Sequence, residues 1–345
     1  MPGECDRMNT RQEIEDAFDG QGRGELPPPA VFTQTGTVGQ MEACGAFWPE
    51  ANFDAVKMGE LAIQMDRMFG FATARVPFCL TVEAERLGAV INPGRVDTQP
   101  SITGSPYRGD VMEMDSPPEG LMDPEEFATG GRCALVQEVA SRLSTEHPDL
   151  FVTAGMMDPL SVFMQLFGVE NALMCYMMEP GKTREWVERM VPYTQAYGSR
   201  LSEAADNVTV VGLASADVLM PGMFGELITP FMSRTVSSLR DSFSTIHTCG
   251  DTRSNIHELA SMGATGLSLE ASHDPGEYLG AVGGRCRLFG SVDPVGMLLM
   301  GCPADVASEA RKYAELGFDI ITPECGVPPR TPDANLYALA HYREL

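Results

Sequence analysis

The chain has 345 residues, 43% of them hydrophobic and 21% charged, an ordinary globular composition that excludes a disordered, collagen-like or coiled-coil protein. Forty-eight acidic side chains against 24 basic ones leave a formal net charge of −24, which repels phosphate backbones and anionic lipid, so neither nucleic acid nor a membrane surface is an expected partner. No run approaches about 18 uncharged apolar residues, and residues 1–23 are polar and acidic where an export leader would be basic and then apolar. A cytoplasmic, uncleaved protein is expected. Nine cysteines, an odd number in a chain without an export signal, are expected to stay reduced. Cys5, Cys44, Cys79, Cys133, Cys175, Cys286 and Cys302 read as small buried hydrophobes.

In chain order, a polar helix over Thr10–Phe18, with Asn9 or Thr10 as its N-cap, precedes the first strand. Eight short β-branched or apolar runs then recur: Ala30–Thr35, Ala72–Phe78, Leu150–Ala154, Val208–Leu213, Phe243–Thr248, Gly266–Glu270, Cys286–Ser291 and Phe318–Pro323. Between them lie segments of helical periodicity at Asp54–Met68, Leu160–Met174, Arg184–Asn207, Glu226–Leu239, Asn255–Met262 and Val295–Glu315. Alternating strand and helix implies parallel strands, and eight such units close a (β/α)8 TIM barrel. An open doubly wound sheet is the runner-up, but residues 34–40 lack the glycine fingerprint it would carry after its first strand. The sequence therefore predicts one α/β domain over residues 1–345, with an N-terminal helical extension (1–28) and a long insertion after the second strand (88–147). That insertion is rich in Pro, Gly and Ser, carries one convincing helix at Pro124–Thr145, and is expected to lie over the barrel mouth.

The fifth strand reads Ser244-Thr245-Ile246-His247-Thr248-Cys249-Gly250. Residues i and i+2 of a strand share a face, so His247 and Cys249 present an imidazole and a thiol side by side. The eighth strand runs into Glu324-Cys325-Gly326, and the sixth ends at Glu270. All four donors sit at the C-terminal ends of strands, which converge on one mouth even from distant parts of the sequence. Two thiolates, an imidazole and a carboxylate suit tetrahedral Zn²⁺ rather than Mg²⁺ or Ca²⁺, which want oxygen. Three fixed ligands and an exchangeable fourth describe a catalytic site, and zinc already compensated by two thiolates is better suited to binding an incoming thiol as thiolate than to making hydroxide. Gln34, Thr35, Arg75, Asp158, Asp217, Ser291 and Asp293 also fall at strand ends and are candidates to position substrate. His257 and His341 read as packing or surface residues, and His273 lies nearer the mouth.

His247-Thr248-Cys249-Gly250, Glu270 and the run from Pro323 to Pro332 resemble the zinc motifs of methylcobamide:coenzyme M methyltransferases. Gln34–Val38, Met41–Ala51 and Val76–Glu85 are similar to the methanol- and methylamine-pathway members of the same group. The resemblance runs from about residue 8 to the C-terminus and lies within the uroporphyrinogen decarboxylase-like superfamily of (β/α)8 barrels. It implies zinc on His247, Cys249 and Cys325, with Glu270 as the exchangeable fourth ligand. It further implies a methylated corrinoid, carried by a separate corrinoid-binding protein, as methyl donor, and a small-molecule thiol, coenzyme M in methanogens, as acceptor. Tetrahydrofolate or another thiol remains an alternative. The sulfonate of coenzyme M needs a positive group or a helix N-terminus, and Arg75 and Arg330 are the obvious candidates. Two competing readings are a metal-free tetrapyrrole decarboxylase and a non-catalytic partner of a corrinoid protein. The first leaves the two thiols and imidazole unexplained.

Overall fold

The computed structural model describes residues 9–21, 26–105, 107, 121–212, 215, 217–220, 222–271 and 274–345. Cys5, Leu213, His273 and part of the 88–147 insertion lie outside them.

Strands are numbered in chain order: β1 (Thr73–Val76), β2 (Val90–Asn92), β3 (Ser101–Gly104), β4 (Phe151–Met157), β5 (Asn207–Val211), β6 (Phe243–Thr248), β7 (Gly266–Leu269) and β8 (Arg287–Phe289). Six of them form one parallel sheet in the order β1-β4-β5-β6-β7-β8, with helices in the connections. Segments 30–35 and 318–323, read from the sequence as full strands, complete the barrel as staves held by single parallel bridges: Pro29 to Ile321, Ile320 to Phe289 and Val292 to Pro323. The physical reason is the missing donor. Pro27, Pro28 and Pro29 have no N–H to offer a ladder, and the seam between the first and eighth staves closes on isolated bonds such as Ala30 N to Ile321 O (2.9 Å) and Ile321 N to Pro28 O (3.0 Å). The architecture is a (β/α)8 TIM barrel.

Strand alternation sorts the side chains into two environments. Val152, Ala154, Met156, Val208, Val210, Ile246, Leu267 and Leu288 are buried in the large apolar core between the sheet and its helices. The opposite face is polar: Thr245 Oγ1 donates to Asn207 Oδ1 (3.0 Å), and Asn207 Nδ2 donates to Thr209 Oγ1 (3.3 Å) and Thr153 Oγ1 (3.4 Å). The lumen is thus hydrogen-bonded rather than greasy, which is how buried hydroxyls and amides escape their desolvation cost.

Its lower end is closed by aromatics. Helix Arg11–Phe18 begins at a capping box in which Thr10 and Glu13 satisfy each other's backbone N–H groups. It delivers Ile14, Ala17 and Phe18 into a separate buried cluster with Ala30, Phe32, Phe151, Phe289 and Ile320. The Phe18 ring lies 4.7 Å from Phe243, 4.9 Å from Phe289 and 5.4 Å from Phe151.

Several helices read as continuous are broken. Gly168, at φ 85°, divides Leu160–Met174 into Pro159–Phe167 and Val169–Met178. A π-turn at Phe224–Ile228 precedes Thr229–Val236, and another at Pro294–Leu299 precedes Pro303–Leu316. The excursion after β1 holds an antiparallel hairpin (β2, β3) that periodicity did not reveal, and its last helix, Gly131–Glu146, packs back on β1 and β4. Among the described residues no single helix is long and apolar enough to cross a membrane. The described cysteines are free. Cys79, Cys133, Cys175 and Cys286 are buried as expected, whereas Cys44 is half-buried and Cys302 is exposed at the N-cap of helix Pro303–Leu316.

Candidate metal centre at the barrel mouth

His247 is the fifth residue of β6, and Cys249 follows the strand by one residue, so their side chains leave the same face. Cys325 arrives from the eighth stave. One donor atom from each of the three lies within 4.8 Å of the others, with Cys249 Sγ 3.4 Å from His247 Nε2 and 2.6 Å from Cys325 Sγ. His247 is buried and the two cysteines are half-buried, so the cluster opens toward the mouth. A shared hydrogen bond splits the thiols. Donation from Cys249, reinforced by His247, holds Cys325 down to about 4, while Cys249, beside that charge and largely desolvated, is raised.

The surroundings hold these donors still. Gly250 adopts φ +80°, in the left-handed region, and a Cβ there would meet Asp217 Oδ2 at 2.4 Å. That turn sends Gly250 N–H to Glu270 Oε2 (2.7 Å). Thr33 Oγ1 donates to the Cys325 carbonyl (2.9 Å). Ser268 Oγ lies 3.0 Å from His247 Nδ1. Ser291 Oγ donates to Glu324 Oε2 (2.6 Å) and accepts from Ala271 N (3.0 Å); burial pushes the Glu324 carboxyl up to about 8.

The residues singled out in the sequence fall into three groups. His247, Cys249 and Cys325 converge. Glu270 stands at the same rim, but its carboxylate caps the Gly250 amide and is not among the three clustered donors. Gln34 and Arg75 are buried, and Gln34 Nε2 and the Arg75 Nε and Nη2 atoms have no hydrogen-bond partner among the described residues. Gln34 lies beside the residues that follow Cys325: its carbonyl accepts from Val327 N (2.8 Å), and its Oε1 would stand 3.1 Å from a Cβ on Gly326. Arg75 donates through Nη1 to the Pro77 carbonyl and lies against Gly155, where a Cβ would collide with Nη2. Burial lowers its pKa to about 10. By contrast, Asp293 is spent as a helix cap, accepting from Val295 N (2.8 Å) and Gly296 N (3.0 Å). Arg330 is exposed and paired with Asp97 on the β2–β3 hairpin at 2.7 Å. Asp158 likewise caps helix Pro159–Phe167.

Sequence reasoning missed Ser268 and Glu324. The alternation in Gly266-Leu267-Ser268-Leu269-Glu270 puts Ser268 and Glu270 on one face, but that Ser268 is the cross-strand partner of His247 follows only from the β6–β7 register. The donor set fits zinc: two sulfurs and a nitrogen close enough to share one ion, where calcium or magnesium would require oxygen ligands.

A family model described as Uroporphyrinogen decarboxylase (URO-D) matches residues 10–344. Methylcobamide:CoM methyltransferase MtaA of Methanosarcina barkeri is 30% identical over 333 residues, covering 95% of each chain. Methylcobamide:CoM methyltransferase MtbA of Methanosarcina acetivorans is 31% identical over 316 residues, 90% of each chain. A solved structure described as a methyltransferase from Methanosarcina mazei superimposes with a TM-score of 0.89 at 29% identity, over 97% of this chain and 98% of that one. The barrel and its mouth therefore define a member of the uroporphyrinogen decarboxylase (URO-D) family, and within it the chain belongs to the methylcobamide:CoM methyltransferases.

Proposed function

We propose that this enzyme moves a methyl group from a methyl-Co(III) corrinoid, carried by a separate corrinoid-binding protein, to the sulfur of a small thiol held on zinc, with coenzyme M as the acceptor. The observation that carries this reading is the convergence of His247, Cys249 and Cys325 at an open barrel mouth. These three residues would hold zinc, with Glu270 one main-chain bond away as the exchangeable fourth ligand. Zinc bound there supplies one thing, a stabilised thiolate on the acceptor at neutral pH.

The chain's own residues do the rest. Arg75 and Gln34 offer buried N–H groups with no hydrogen-bond partner among the described residues, Gln34 beside the Cys325–Val327 segment, and these suit the anionic tail of the acceptor. Buried donors of this kind bind an anion tightly because they have no water to give up and leave a desolvated charge if it is absent. In the reaction the sulfur–carbon bond forms as the cobalt–carbon bond breaks, both electrons of the broken bond stay on cobalt, and the thiol proton has left on binding. The protein contributes alignment of the reacting atoms and exclusion of water.

The test offers methylcobalamin together with coenzyme M, homocysteine or tetrahydrofolate in turn, and follows the loss of methyl–cobalt absorbance. About one zinc per chain and turnover with coenzyme M are expected. Zinc-free protein without turnover on any acceptor would favour the decarboxylase or non-catalytic reading, and turnover with tetrahydrofolate alone would move the acceptor assignment.

A further inference from the structure

We infer that Ser268 is a positioning residue that selects which ring nitrogen of His247 is free to bind the metal. This rests on the zinc reading above and adds to it a role for a residue that no ligand motif contains.

The two rings of contact around His247 are unequal. Nε2 faces the thiol of Cys249 at 3.4 Å, on the side where the donor atoms cluster. Nδ1 faces Ser268 Oγ at 3.0 Å, away from the cluster. A neutral imidazole carries one proton, and only the unprotonated nitrogen can donate to a metal. If Nε2 is to be the ligand, the proton must sit on Nδ1, and Ser268 Oγ is then its acceptor. Water cannot substitute, because His247 is 1% exposed and Ser268 fully buried, so the serine is the partner this nitrogen has among the described residues.

The placement follows from the sheet. His247 and Ser268 are register partners in the β6–β7 ladder, so their side chains rise together from the same face and the hydroxyl meets the ring edge without adjustment of either backbone. The next residue on that face of β7 is Glu270, whose carboxylate holds the Gly250 N–H and with it the turn that carries Cys249. One strand thus braces both of the donors supplied by β6: Ser268 orients the imidazole, and Glu270 anchors the turn beside the thiol.

The experiment measures zinc affinity of purified apo-protein by competition with a chromophoric chelator, for wild type, Ser268→Ala and Ser268→Thr. Loss of an outer hydrogen bond to a ligating histidine weakens metal binding by about 10–100-fold, so Ser268→Ala should fall in that range, while Ser268→Thr, which keeps the hydroxyl on a strand that favours β-branching, should return to within about threefold of wild type. Nitrogen-15 spectra of the His247 ring in zinc-loaded wild type should show the proton on Nδ1 and the metal on Nε2. Equal zinc affinity in folded Ser268→Ala, or a zinc-loaded ring protonated on Nε2, would overturn the inference. The ring spectrum decides it even if Ser268→Ala does not fold. A wild-type protein that takes up no zinc would overturn the functional reading and this inference with it, whereas zinc uptake through Nδ1 would overturn the inference alone.

Discussion

The two ends of the barrel are built from opposite materials. At the floor, Phe18, Phe32, Phe151, Phe243 and Phe289 pack ring on ring, and the helix Arg11–Phe18 seals them from water. At the mouth, β6 and β7 lead into His247, Cys249, Ser268 and Glu270, linked by hydrogen bonds, with His247 and Ser268 buried and Cys249 half-buried. Stability is concentrated where contact area is large and nothing needs to move; reactivity sits where donors are held in place yet left partly unsatisfied. Substitutions at the two ends should therefore separate the two properties.

Cys249→Ala or Cys325→Ala should lose the zinc and at least about 100-fold in methyl transfer while leaving the melting transition nearly in place, as metal analysis and the methylcobalamin assay would show. A variant with full metal content and full activity would contradict the centre. Phe18→Ala should do the reverse, costing about 3–5 kcal/mol in denaturant unfolding with the rate of the folded enzyme unchanged, because a buried ring leaves a cavity its neighbours cannot fill. Arg75→Gln removes charge-assisted bonds worth about 1.5–3 kcal/mol, so KM for an anionic thiol should rise by roughly 10–150-fold, with a neutral thiol of the same length unaffected. Glu270→Gln should retain zinc and alter the rate by about tenfold, seen as unchanged metal content beside changed kcat. Arg330→Ala, which breaks an exposed pair with Asp97, should leave the unfolding midpoint essentially where it is, because solvent screens that pair.

The convergence of His247, Cys249 and Cys325 was readable before folding because its signal is local on one side and positional on the other. His247 and Cys249 share a strand face two residues apart, and Cys325, like Glu270, follows an apolar run that announces a strand end. The start of the first helix was readable to within a residue, at Asn9 or Thr10, and the capping box with Glu13 makes it Thr10. Asp293 shows where such reading weakens. An acid before proline at a strand end has the same sequence appearance whether it faces the mouth or caps the next helix, and here its carboxylate bonds to Val295 and Gly296. Arg330 likewise carries a charge whose partner, Asp97, is 233 positions away. The hairpin of β2 and β3 escaped because its strands are three and four residues long and mostly exposed, so they carry no apolar period.

Chain pattern alone determined the alternation of strands and helices and the identity of the thiol and imidazole donors, since each depends on a residue's own chemistry and its near neighbours. Tertiary structure alone decided that the first and last staves close by single bridges, that Glu270 holds the Gly250 amide, that Arg75 keeps unpaired donors inside the barrel, and that Ser268 stands against His247. Those outcomes depend on register between strands far apart in sequence, which is set by how the whole sheet buries its outer face and which no short stretch of residues encodes.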